Sequence, residues 1–192
     1  MNEEENTQAL SFSDYLPSVG IVGVIFALVS FVIGLFFGYQ QINSEPSGSF
    51  MSPMMFSGVV ICLVSALAGL LAVWHFTREV TPYMTLGQGA LIGFLTGAVI
   101  VLFSVVLSEL WILIFDPDYT TKMMDAAIAN IEAMEMPEAN KQQMIDAVAD
   151  SMAGGQSIWQ QIFWGVPITG LINLVTGLIG VKVFAEKKEE TF

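Results

Sequence analysis

Apolar residues occupy this chain in four long blocks, not in short amphipathic repeats. No formally charged residue lies between Asp14 and Glu45, from Pro46 to Thr77, from Val80 to Ser108, or from Ser151 to Val181. Each block is roughly 30 residues, more than the ~20 apolar residues that cross a bilayer core of ~30 Å. Transmembrane barrel strands would alternate lumen-polar and lipid-apolar positions over ~10 residues. These blocks are apolar throughout, so the pattern predicts four helical spans, near 17–40, 54–76, 86–110 and 158–182. Leu16-Pro17 and Ser52-Pro53 mark expected helix starts, because a proline in the first turn loses no hydrogen bond.

The segment between the third and fourth spans is too long for a plain connection. Asp116-Pro117-Asp118-Tyr119 reads as an N-cap, a proline at the first helical position and an acid in the first turn. Met124, Ala127, Ile128, Ile131 and Met134 then recur at helical spacing. Met136-Pro137-Glu138 breaks that helix and begins another, with Met144, Ile145, Val148 and Met152 as its apolar face and Gly154-Gly155 as its end. Two short amphipathic helices cannot bury a core alone. Their apolar faces are expected to meet each other, the bundle or the lipid surface; if the third span protrudes, the Met-rich face covers Trp111, Ile112 and Ile114, or else these residues rest in the headgroup zone.

The expected fold is therefore all-α: an integral membrane four-helix bundle with an extramembrane amphipathic helical hairpin between the third and fourth spans. Its segments are an acidic N-terminus (1–15), spans one to three (16–115), the hairpin (116–157), the fourth span (158–186) and a short tail (187–192). Composition agrees. The 192 residues are 54% hydrophobic and 12% charged, about half the charge of a soluble domain, and the mean hydropathy is +0.67.

The net charge of −12 belongs to the aqueous parts, chiefly the 116–150 stretch. Its sign argues against a nucleic-acid partner, which requires a basic footprint. Arg78, Lys182, Lys187 and Lys188 fall on one side of an even number of spans. The other side offers only Lys122 and Lys141, so the positive-inside bias places both termini in the cytoplasm of a bacterial cytoplasmic membrane. The acidic start Met1 to Asn6 is unlike a secretory n-region, and the first span is expected to be retained. Cys62 is the sole cysteine and lies within the second span, so no intrachain disulfide is expected.

Small residues recur at four-residue spacing along the spans: Ser30, Gly34 and Gly38; Ser65 and Gly69 with Ala72 nearby; Gly89, Gly93 and Gly97; Gly165, Thr169, Asn173 and Gly177. Such stripes let helix backbones approach closely where lipid is as apolar as leucine, within one bundle or between copies or other membrane proteins. Glu109 is the acid inside a membrane-length apolar run, but it stands about 35 Å along the third helix from Leu86, at the outer edge of the hydrocarbon. Asn173 is deeper, and its amide needs a partner such as Thr169 one turn back or a hydroxyl on a neighbouring helix. Trp74, His75, Arg78, Trp111 and Lys182 read as membrane-interface anchors.

Chemistry-bearing motifs are sparse. HExxH, GxSxG, the P-loop and GxGxxG are absent from the sequence. A Ser–His dyad would have to use His75, at the wrong depth for a buried centre. Methionines Met123, Met124, Met134, Met136, Met144 and Met152 could suit Cu(I), yet their helical spacing accounts for them as an adaptable apolar face. No enzyme activity, cofactor or metal is expected, and the bilayer is the expected surrounding partner.

The runs His75-Phe76-Thr77-Arg78, Met84-Thr85-Leu86-Gly87-Gln88-Gly89 and Gly93-Phe94 resemble those of a bacterial four-span membrane family known as domain of unknown function 4199. Phe115-Asp116-Pro117-Asp118-Tyr119, the Met- and Glu-rich stretch after it and a closing span ending in Lys187-Lys188 fit the same family, over about residues 15–188. The resemblance implies four spans with a helical loop between the last two, and it implies no activity. Two functions are weighed: a packing or partner-binding subunit, and a small oligomeric transporter or channel subunit using Glu109.

Overall fold

A computed structural model of the chain describes residues 11–49, 52–153 and 157–186. Among the described residues there are six helices: α1 (Phe12–Asn43), α2 (Pro53–Glu79), α3 (Leu86–Ile114), α4 (Tyr119–Glu132), α5 (Glu138–Ala153) and α6 (Ile158–Phe184). Four of them, α1, α2, α3 and α6, are long and apolar enough to cross a membrane. Among the described residues the nearest approach to a strand is an isolated parallel bridge between Tyr83 and Glu186. The acidic stretch before Ser11, the Gly154-Gly155 helix end and Lys187-Lys188 lie outside the described residues, as does the side chain of Met152.

Local chemistry sets most helix ends. Thr85 caps α3: its hydroxyl accepts from the Gln88 N–H at 3.3 Å, and Gln88 accepts from the Thr85 N–H at 2.7 Å, a reciprocal capping box. Ser52 precedes α2 with Pro53 in the first turn, as the sequence suggests. Pro17 does not begin α1. The helix starts five residues earlier because Asp14 accepts from the Ser11 N–H at 2.7 Å, so Pro17 sits inside α1 and forfeits a single early hydrogen bond. Asp116 does not cap α4 either. The residue before that helix is Asp118, and the Asp116 carboxylate is held elsewhere.

The four long helices form a bundle in which α2 and α3 lie between α1 and α6, with α3 packed most extensively on α6. Large side chains on the outer faces point away from it: Val32, Phe36 and Leu63 are 61%, 65% and 65% exposed. Such a surface is untenable in water and ordinary in hydrocarbon. The densest core gathers Tyr15, Val19, Val22, Ala68, Ala72, Val73, Phe76, Ile92, Ile100 and Val181, weighted toward the bundle end that carries Arg78. There the chain segments after α2 and α6 meet, the Glu186 N–H donating to the Pro82 carbonyl at 2.9 Å.

The hairpin α4–α5 closes the opposite end. α4 packs on α1 and α5 packs on α4, with Met123 and Met134 buried. Lys141 secures the turn by donating to the Glu132 carbonyl at 2.9 Å, a cation at a helix C-terminus. Trp111 and Ile112 are half-buried and line one cavity with Tyr119 and Met123, whereas Ile114 is 62% exposed. Ile114 is therefore left uncovered, while α4 lies against α1.

Asn130 is the latch between the hairpin and the α1–α2 loop. Its side-chain oxygen accepts from the Ser47 and Gly48 N–H groups, both at 3.2 Å, and its amide donates to the Ser49 carbonyl at 3.1 Å. Gly48 is required twice over: its φ is +61°, and a Cβ there would overlap the Ala133 carbonyl. Asn130→Ala is expected to weaken hairpin docking by about 1–3 kcal/mol, the cost of stranding these loop groups. Hydrogen exchange should show faster exchange at residues 47–49 and along α4, with α3 and α6 unchanged.

Candidate functional site

Asn173 marks the closest meeting of three helices. Its side chain is fully buried. The side-chain oxygen accepts from the Gly69 N–H of α2 at 2.7 Å, and its amide donates to the Thr169 carbonyl at 2.9 Å. Thr169 thus partners Asn173 through its backbone, not its hydroxyl, and the second partner is a helix backbone, not a neighbouring side chain. Glycine makes this reachable. A Cβ on Gly69 of α2 or on Gly93 of α3 would overlap the Asn173 carbonyl oxygen. The amide gains two hydrogen bonds where the alternative is hydrocarbon.

The α3–α6 seam continues in both directions from that point. A Cβ on Gly97 would stand 2.8 Å from the Gly170 backbone, and one on Gly177 would overlap the Gly89 carbonyl. A Cβ on Gly89 would overlap the Val181 side chain. The two glycines singled out on α1 serve other contacts. Gly38 meets the Tyr119 hydroxyl of the hairpin, not another span, and Gly34 has ordinary space beside Ile61, 3.6 Å from an added Cβ.

Glu109 is exposed and stands apart from the cavity described next. Gly93 faces Asn173 and Gly97 faces Thr169, so the same antiparallel register sets Glu109 level with Ser157, the N-cap of α6. Glu109 and Asn173 are therefore not brought together: 16 residues of α3, about 24 Å, separate their levels. Toward the hairpin end the bundle loosens around a cavity of about 320 Å³ between α1, α2, α3 and the start of α4. It goes no deeper than Ser30 and Ser104, and Ser30 bonds Ser65 across α1 and α2 at 3.2 Å.

At the other end the aromatic and basic residues cluster. The Arg78 guanidinium lies 4.7 Å over the Trp74 ring, a cation–π contact, and Lys182 is exposed in the last turn of α6. His75 is turned into the bundle, its Nδ1 2.9 Å from the Ser18 hydroxyl. That is a serine–histidine pair, but Ser18 is fully buried and offers no approach to a substrate. Among the described residues no three His, Cys, Asp or Glu side chains converge as metal ligands would.

Trp111 belongs to a polar-aromatic cluster at the hairpin junction. Its ring stacks on Phe115 at 4.9 Å and meets Tyr39 edge-on at 6.4 Å. The Tyr39 hydroxyl donates to Asp116 at 2.7 Å, and Lys122 donates to the other carboxylate oxygen at 2.7 Å. Lys122, with help from Tyr39, holds the Asp116 carboxyl below its usual range, and Asp116 in turn raises the Lys122 ammonium. Burial pushes the Tyr119 hydroxyl up. This cluster, not capping, explains why Asp116 stands where it does.

The family model described as Protein of unknown function (DUF4199) matches residues 18–182, spanning all four long helices and the hairpin. The chain belongs to that family. Neither the curated proteins nor the solved structures contain a match. Within this DUF4199 protein the Tyr39–Asp116–Lys122 cluster, the Asn130 latch and the serine-lined cavity were not legible as sites. Only one hint was present for Asn130: it interrupts the apolar face of α4 as a lone amide.

The Asp116 cluster gives a pH expectation with a definite sign. A carboxyl pKa lowered on docking means the undocked hairpin binds more protons, so docking strengthens with rising pH up to the ordinary carboxylate range. Lys122 is raised, so its contribution is present below its ordinary range near 10.5 and fades above the elevated value. Docking should hold steady from about pH 5 to about pH 9 and weaken below about pH 4. Trp111 fluorescence, in a protein whose other tryptophans are phenylalanine, should follow that profile. A transition centred near neutrality would contradict it.

Proposed function

We propose that this DUF4199 protein is a non-enzymatic subunit of a bacterial cytoplasmic membrane, built to pack with or bind other membrane proteins. Both termini lie in the cytoplasm in this reading, and the acidic hairpin faces outward. The observation that carries it is the closure at Asn173. Three helices touch backbone to backbone there, and the cavity on the hairpin side ends at Ser30 and Ser104, so the bundle contains a blind recess and a packed half. A route for ions or solutes needs a continuous polar path. The hairpin supplies the contact surface: Asp125, Glu132, Glu135, Glu138, Asp146 and Asp150 are all exposed, and α5 packs on α4 at the outside of the hairpin. A partner segment of basic character suits that face.

A second reading rests on Glu109. Its carboxylate is on the lipid-level surface outside the cavity, where a neighbouring copy could enclose it and make an ion site at the seam of an oligomer.

Two measurements separate these readings. In proteoliposomes the partner-binding reading expects ion flux at the level of empty vesicles, unchanged by Glu109→Gln; flux abolished by that substitution would support the transporter instead. A photo-crosslinker at Asp146 should join the protein to a discrete membrane protein in cells, and Asp146→Lys with Asp150→Lys should reduce that product several-fold. Crosslinks to lipid alone would contradict partner binding through the hairpin.

A further inference from the structure

The cavity near the hairpin has a lining without charged side chains. Ser57, Ser104 and Ser108 line it, and none of their hydroxyls hydrogen-bonds to another described residue. Ser57 is the most enclosed of them, with only 9% of the residue exposed. A few hydroxyls among apolar side chains around a concave space are the usual make-up of a small-molecule site. The remaining lining is apolar, with Phe31, Gly34 and Ile61 facing the same space.

Depth and access narrow the occupant. Counted from Leu86 at ~1.5 Å per residue, Ser104 lies about 27 Å and Ser108 about 33 Å along α3. The cavity therefore straddles the edge of a ~30 Å hydrocarbon core. Ser108 lines the cavity and is itself exposed, so the cavity reaches the surface beside it. The pairings Ser30–Ser65 and Gly34–Ile61 set Ser57 level with Gly38, where the Tyr119 hydroxyl also lies. Hydroxyls thus stand at both ends of the cavity, Ser57, Ser108 and Tyr119 toward the hairpin and Ser30 and Ser104 at the inner end, with Gly34 and Ile61 between. The volume of about 320 Å³ matches roughly ten water-sized groups.

We propose that this cavity holds the ester segment of a membrane lipid drawn from the leaflet on the hairpin side. The ester carbonyls accept from Ser57 and Ser108, and the first methylenes of one acyl chain lie against Phe31, Gly34 and Ile61. The absence of charge in the lining excludes the lipid phosphate, which stays outside. This site is independent of the partner-binding reading and stands or falls separately from it.

The test uses the full chain in nanodiscs, with Trp111 as its sole tryptophan after Trp74, Trp159 and Trp164 are replaced by phenylalanine. Trp111 lines the cavity and reports nearby bromine by quenching. Phosphatidylglycerol brominated on its acyl chains is titrated into a background of ether-linked lipid. Quenching is expected to saturate at a lipid fraction well below that for random contact. The same brominated chains joined by ether bonds, which lack the carbonyls, should need ~3–10-fold more lipid. Gly34→Leu fills the cavity and should abolish the saturable component, while Gly58→Leu, which projects into open space, should retain it. Quenching that rises in proportion to bulk lipid and is equal for ester and ether chains would overturn the proposal. So would a saturable component that survives Gly34→Leu. If Gly34→Leu fails to fold, the ester–ether comparison on the unfilled protein decides alone.

Discussion

Helices dissolved in hydrocarbon gain nothing by hiding apolar surface from one another, because lipid tails solvate leucine as well as another helix does. Their association must come from contacts lipid cannot make. In this protein that contact is the approach of backbone to backbone around Asn173, where Gly69, Gly93 and the carbonyl of residue 173 occupy space that a single methyl group would fill. Dispersion over such short distances is collectively large. The buried amide adds direction by linking α6 to the backbone of α2, which fixes rotation and depth as well as proximity.

That junction explains the uneven build of the bundle. Toward Arg78 the helices are drawn together by glycine, alanine and the amide, giving a core in which Ala68, Ala72, Val73, Phe76 and Ile92 are completely buried. Toward the hairpin the glycine stripe of α3 ends at Gly97 while the helix runs on to Ile114. The cavity lies on another side of α3, which it shares with α1, α2 and the start of α4. The hairpin then performs the work that packing does at the other end: α4 lies on α1, Asn130 ties it to the α1–α2 loop, and Asp116 joins Tyr39 to Lys122.

The sequence revealed what depends on neighbours along the chain. Four spans followed from uninterrupted hydrophobic runs, and Thr85 and Ser52 were readable as helix starts because their partners lie within a few residues. Pro17 misled because the capping pair that overrides it, Ser11 and Asp14, precedes it. Asp116 looked like a cap, yet its partner Tyr39 is 77 residues away in the chain. Asn173 stood out as a polar residue at depth, but its acceptance from Gly69, 104 residues distant, depends on a fold-level encounter that spacing does not encode. The cavity was invisible for the same reason: Ser57, Ser104 and Ser108 are unremarkable in a sequence and become a group only when α2 and α3 are placed side by side.

Glycine-mediated contact at the Asn173 junction holds α2, α3 and α6 together. Reversible unfolding in a lipid bilayer, compared between Gly93→Ala and Gly58→Ala, tests it most directly. The account predicts that Gly93→Ala loses about 1–3 kcal/mol by forcing α3 from α6, whereas Gly58→Ala, with open space around it, is neutral or slightly more stable through better helix propensity. Equal stability of the two variants would contradict it.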